Sequence, residues 1–66
     1  MEKRRMFTIE QARKYAGMTQ KEMAKSIGVS TSTYVRIEQN ASNARVGVIN
    51  RISKCTGIPV SDFILQ

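Results

Sequence analysis

The sequence predicts an all-α domain, a compact five-helix bundle whose second and third helices form a helix-turn-helix. Apolar residues recur at three- and four-residue spacing from Ile9 onward, and no useful length shows the apolar–polar alternation of a strand. Glycines and polar clusters fall where one helical pattern ends and the next begins: Gly17, Gly28, the stretch Asn40 to Asn43, then Gly57 with Pro59. A chain of 66 residues makes one domain spanning 1–66, and its 41% hydrophobic content suffices for a core, which argues against disorder. So short a chain buries only about 60% of its unfolded surface, so that core must be compact.

Each helix carries its own start and stop. Thr8-Ile9-Glu10-Gln11 has capping-box spacing, in which the Thr hydroxyl and the Gln side chain satisfy orphan backbone donors. Phe7 before the cap and Ala12 in the first turns suit a hydrophobic staple. Ile9, Ala12 and Ala16 share a face with Tyr15 beside them, and Gly17 ends the helix. The second helix opens with Thr19-Gln20-Lys21-Glu22, a capping box that also sets a negative charge at the positive helix end. Met23, Ala24 and Ile27 form its apolar stripe, and Gly28 closes it in a left-handed turn.

Val29 turns inward and Ser30 caps a third helix that runs to Gln39. Tyr34 and Ile37 point one way; Thr31, Ser32, Val35, Arg36 and Gln39 point the other. That outward face carries hydroxyls, a guanidinium, an amide and one valine where a merely soluble helix would carry Glu and Lys. A fourth helix is predicted from Arg45 to Thr56, with Ile49, Ile52 and either Val46 or Val48 inward. Gly47 near its start costs about 1 kcal/mol relative to alanine. After Gly57-Ile58-Pro59, a short fifth helix is predicted over Val60 to Leu65, carrying Val60, Phe63 and Ile64.

Charge narrows the function. Eleven Lys and Arg against five Asp and Glu leave a net charge of +6, which favours a polyanionic partner over a basic surface kept for solubility. Cys55 is the sole cysteine, so no internal disulfide forms, a reducing compartment fits, and a packing role suits it better than a redox switch. No apolar run approaches the roughly 18 residues of a membrane span. The basic start Met1-Glu2-Lys3-Arg4-Arg5 leads into no signal core, so a cytoplasmic protein is expected. Residues 1–6 read as a flexible basic arm; Lys3-Arg4-Arg5 suits an arm along DNA and a solvated terminus equally. Histidine, paired carboxylates in an apolar setting, a phosphate-cradling glycine loop and metal-ligand spacing are all missing from the sequence. Catalysis is therefore excluded, and no cofactor, metal or small-molecule ligand is expected.

From Gln20 to Glu38 the spacings act as a unit. Ala24 must be small where the third helix crosses the second, Gly28 permits the tight turn, and Val29, Tyr34 and Ile37 hold the third helix at its angle. Together with Met18-Thr19-Gln20-Lys21-Glu22-Met23-Ala24, Ile27-Gly28-Val29-Ser30, Arg36-Ile37-Glu38, Gly57-Ile58 and Asp62-Phe63-Ile64, this pattern resembles the Cro/cI-type (lambda-repressor-like, XRE) helix-turn-helix family of bacterial and phage regulators. The resemblance covers about residues 7 to 65.

The resemblance implies a function and a set of roles. The function is that of a sequence-specific regulator of double-stranded DNA, by default a repressor whose third helix enters the major groove of an operator. Thr31, Ser32 and Arg36 match base-contacting positions; Thr19, Gln20, Gln39, Asn40, Ser42 and Asn43 match phosphate-contacting ones. Arg13 and Glu38 match a partly buried structural ion pair. Plainer readings stay open: Gln20 as an exposed first-turn residue, Arg36 lying along phosphates, Thr31 and Ser32 as capping neighbours of Ser30. The chain departs from the family pattern at Ala44, where Pro is frequent, at Thr56, where an apolar residue is usual, and at Pro59, which replaces a Ser cap. A homodimer reading half-sites about 34 Å apart is expected, with Val60, Phe63, Ile64 and Leu65 as its interface. The alternative is an antitoxin or protein-interaction module on the same fold with a protein partner. The lack of acids on the third helix before Glu38 favours DNA.

Overall fold

Local signals start each of the first three helices. In the computed structural model, which describes residues 6–65, α1 spans Ile9–Tyr15, α2 Gln20–Ile27, α3 Thr31–Gln39 and α4 Val46–Thr56. Short 3-10 turns occupy Ala41–Asn43 and Val60–Asp62. The basic arm expected over residues 1–6 lies outside the described residues except for Met6. Both capping boxes form. Thr8 Oγ1 accepts from Gln11 N at 3.1 Å while Thr8 N donates to Gln11 Oε1 at 3.0 Å. Thr19 and Glu22 repeat the exchange at 3.1 and 2.8 Å. Ser30 accepts from Thr33 N and starts α3. The start of α4 has no side-chain cap, because Arg45 stands where a Ser, Thr, Asp or Asn side chain would accept.

The apolar stripes meet in one core. Ile9 and Ala12 of α1, Met23, Ala24 and Ile27 of α2, Tyr34 and Ile37 of α3, and Ile49 and Ile52 of α4 are buried together with Ala41, Ile58 and Phe63. Ala24 is 1% exposed, so its single methyl lets α3 pack closely over α2. Gly28 adopts φ 78°, ψ 31°, the left-handed conformation that a side chain disfavours, and thereby turns the chain between the two helices. Behind this turn Arg51 Nη1 donates to the Ile27 carbonyl at 3.0 Å, tying the end of α2 to α4.

Three expectations are corrected and one open choice is decided. The five-helix bundle is a four-helix fold: the predicted fifth helix is only the 3-10 turn Val60–Asp62, after which the chain extends. The reason lies at the other terminus. Phe7 N donates to Asp62 O at 2.8 Å and Ile64 N donates to Phe7 O at 2.7 Å, a parallel bridge between Phe7 and Phe63 that takes backbone groups a helix would have paired internally. The same bridge turns Phe63 into the core, where it is 6% exposed, so it is not available to an outward interface. Val46 is 77% exposed while Val48 packs against the core, which resolves the choice between them. Cys55 is exposed and fills no packing position.

Thr56, where an apolar residue was usual, has a local task. Its hydroxyl donates to Ile52 O at 2.9 Å and accepts from Ile58 N at 3.3 Å, so it closes the end of α4 onto the buried Ile58. Ser53 Oγ donates to Ile58 O at 2.6 Å and completes that corner.

Candidate nucleic-acid interface

The surface built by α2, its turn and α3 is set by one carboxylate. Glu38, near the end of α3, accepts from Arg13 Nε of α1 at 2.6 Å and from Gln20 Nε2 of α2 at 3.0 Å. Arg13 Nη1 also donates to the Met18 carbonyl at 2.9 Å, anchoring the loop before α2. The Arg13 and Glu38 side chains are only 11% and 7% exposed, so three helices converge on a nearly dry ion pair. Burial alone would raise the Glu38 carboxyl, but the Arg13 hydrogen bond, the nearby Tyr34 hydroxyl, the Gln20 amide and the Arg13 charge outweigh it and hold the group below its ordinary value. The hydrogen bond to Glu38, against the opposing effect of burial, raises Arg13. The fully buried Tyr34 hydroxyl lies close enough to feel the Glu38 charge without meeting hydrogen-bond geometry, and it has no partner among the described residues. Burial first, then Glu38, pushes its pKa far above the usual phenol value.

With its inner face held this way, α3 presents the opposite face to solvent. Thr31, Ser32, Arg36 and Gln39 are exposed, and Val35 is half-buried. Arg36 forms no ion pair among the described residues. Ser32 is partly engaged: its hydroxyl lies 3.3 Å from that of Ser30, which also donates to Thr33 Oγ1 at 2.9 Å. Beyond α3, Ser42 Oγ donates to Asn40 Oδ1 at 2.7 Å, which leaves the Asn40 amide hydrogens pointing to no protein acceptor among the described residues. The Asn43 side chain lies outside the described part of the structure. A shallow groove lined by Thr33, Arg36, Ile37, Gln39 and Asn40 runs along this flank.

A helix-turn-helix family model matches residues 9–63 of this chain. The chain belongs to the Cro/cI-type (XRE) helix-turn-helix family. Comparison with curated proteins and with solved structures gave no significant match. The family is one of DNA-binding regulatory domains, and the function stated at that level is DNA binding through a helix-turn-helix. Among the described residues no cluster suits a metal ion, and no helix is long and apolar enough to cross a membrane.

Seen as a family member, the chain brings some of its site residues together and keeps others apart. Gln20, Arg13 and Glu38 form one cluster, while Thr31, Ser32, Arg36 and Gln39 share the outward side of α3 and Asn40 and Ser42 continue past its end. The Thr19 N–H is taken by Glu22 Oε1, so its hydroxyl proton and the first-turn N–H groups of Gln20 and Lys21 are the donors left at this helix start. The Thr19 backbone N–H first, and its nearby side chain second, also hold the exposed Glu22 carboxyl below its ordinary value. Ala44 substitutes well for the frequent Pro, since its φ −73° and ψ 138° lie where a proline would sit. Two exposed cations were not singled out from sequence: Lys21, next to Gln20, and Arg45, at the uncapped start of α4 and lining a second groove with Val29, Thr33 and Val48. The signal available for Arg45 was the want of a capping side chain immediately before Val46.

Proposed function

We propose that the protein is a sequence-specific regulator of double-stranded DNA that acts as a repressor by occupying an operator, with α3 in the major groove. The observation that carries this reading is the two-sidedness of α3. Tyr34 and Ile37 are buried, Glu38 is neutralised by Arg13, and the exposed side offers Thr31, Ser32 and Arg36 with no acidic group. Arg36 donating in bidentate fashion to a guanine would contribute on the order of 1–3 kcal/mol of discrimination, with Thr31 and Ser32 hydrogen-bonding to neighbouring bases. Thr19, Gln20, Gln39, Asn40, Ser42 and Asn43 hold backbone phosphates and set register without reading sequence. Arg13 and Glu38 act structurally.

The net charge of +6 supplies the salt-dependent part of the affinity. A homodimer on two half-sites about 34 Å apart follows from this docking mode, and the exposed Val60 and Leu65, with Ile64 between their ends, are its interface. The setting is the cytoplasm of a bacterium or phage host, at the nucleoid. Selection of binding sites from random duplex DNA tests the whole reading. A palindromic site should be enriched, and recovery of sequences no better bound than the starting pool would overturn it. The second reading, an antitoxin or protein-docking module, is favoured by the exposed Val46, Val60 and Leu65, and would appear as tight binding of a protein partner by those side chains.

A further inference from the structure

On the outward side of α3, Val35 is the residue to which phosphate anchoring and polar base reading assign no task. Valine is a poor choice for a helix surface, because its branched side chain loses rotamer freedom there. Core packing does not account for it. Phe7, Met18, Val29, Ala44 and Val48 are the partly buried apolar side chains that pack against the core, and Val35 is not among them although it is half-buried. Its neighbours on the helix surface, three and four positions away, are Thr31, Ser32, Glu38 and Gln39. It therefore sits as an apolar patch among the polar side chains of the proposed reading face, one residue before Arg36 and beside Glu38, to which Gln20 is bonded.

Only one feature of the major-groove floor offers an apolar partner, the C5 methyl of thymine. We propose that Val35 is a specificity-determining residue whose isopropyl group packs on a thymine methyl, so that the protein prefers thymine over cytosine or uracil at one position of each half-site. The inference rests on the reading that α3 enters the major groove. It assigns a division of labour within one helical turn: Arg36 reads by hydrogen bonding and Val35 by excluding water from a methyl group.

The test uses the full chain and the operator recovered by selection, in duplexes where each thymine of a half-site is replaced in turn by deoxyuracil, which removes the methyl alone. One such replacement should weaken binding on the order of threefold to fourfold, the effect of one buried methyl. Val35→Ala should bind the thymine and uracil duplexes equally at that position and keep the wild-type preferences elsewhere. Val35→Ile should retain the methyl sensitivity. Thermal melting of both variants close to the wild type shows that the fold is kept. If an operator is recovered but the thymine-to-uracil ratio is the same for wild type and Val35→Ala at every position, the role of Val35 is overturned and the proposed function stands. If selection recovers no operator, the proposed function falls and this inference with it.

Discussion

Arg13 Nε meets Glu38 Oε2 at 2.6 Å and joins the first helix to the third at a site where both side chains are nearly buried. Gln20 reaches the other oxygen of the same carboxylate, so one group ties α1, α2 and α3 together and braces a proposed phosphate contact. Glu38→Ala is expected to lower stability by roughly 3–5 kcal/mol, since it leaves Arg13 with only the Met18 carbonyl and Gln20 with no acceptor. Urea unfolding measures the loss; a change under about 1 kcal/mol would show that the pair is solvent-compensated.

The same carboxylate makes the fold acid-sensitive. Its folded pKa lies below the unfolded value of 4.5, so the stability it contributes is complete above that value and is lost as pH falls through the lower folded one. Glu22, lowered by its bonds to Thr19, acts in the same direction. Unfolding curves collected from neutral pH down to about 3 should show wild-type stability falling below the unfolded carboxylate range. Glu38→Gln should show a shallower fall, and a slope equal to wild type would remove Glu38 as the cause.

Two glycines are expected to respond to alanine with opposite signs. Gly28 has φ +78°, and an added Cβ meets only Arg51 Nη1 at 3.6 Å, so Gly28→Ala loses about 1 kcal/mol to backbone strain alone. Gly47 lies in the first turn of α4 with nothing within 4 Å of an added Cβ, so Gly47→Ala gains about 0.5–1 kcal/mol. Thermal melts of the two variants decide it, and a destabilised Gly47→Ala would contradict the helical assignment of that turn.

Anchoring and reading separate in DNA binding. The Gln20 amide has two hydrogens; one is given to Glu38, and the other is free for a phosphate. Gln20→Ala should weaken binding to all sequences about equally, and Arg36→Ala should relax preference at one base pair. Competition against mixed-sequence DNA distinguishes the two patterns. A sequence-selective loss in Gln20→Ala would reverse the assigned roles.

Val60 and Leu65 are each 39% exposed, and Asp at both positions is expected to abolish dimerisation while leaving the monomer folded. Sedimentation at high concentration, with and without operator DNA, reads the outcome directly. Monomers of the wild type under both conditions would eliminate this interface.

The parts of the protein legible from residue order are those whose causes are local. Thr8 with Gln11 and Thr19 with Glu22 lie three residues apart, so their capping boxes assemble within a single turn, and Gly28 ends α2 by its own backbone freedom. The apolar spacing through Met23, Ala24, Ile27, Tyr34 and Ile37 likewise identifies the buried faces of α2 and α3, and with them the outward face of the reading helix. Tertiary structure decided what opposite ends of the chain do to each other. Val60 to Leu65 has helical apolar spacing, yet Phe7 offers its backbone N–H and carbonyl to Asp62 and Ile64, and an extended bridge that also buries Phe63 replaces the helix. Gln20 and Glu38 stand eighteen residues apart with no local pattern linking them, and only folding brings them to 3.0 Å. A capping pair needs only neighbours on one turn, whereas a bridge or a shared carboxylate needs distant segments to be packed first, and no local pattern specifies which distant donor will arrive.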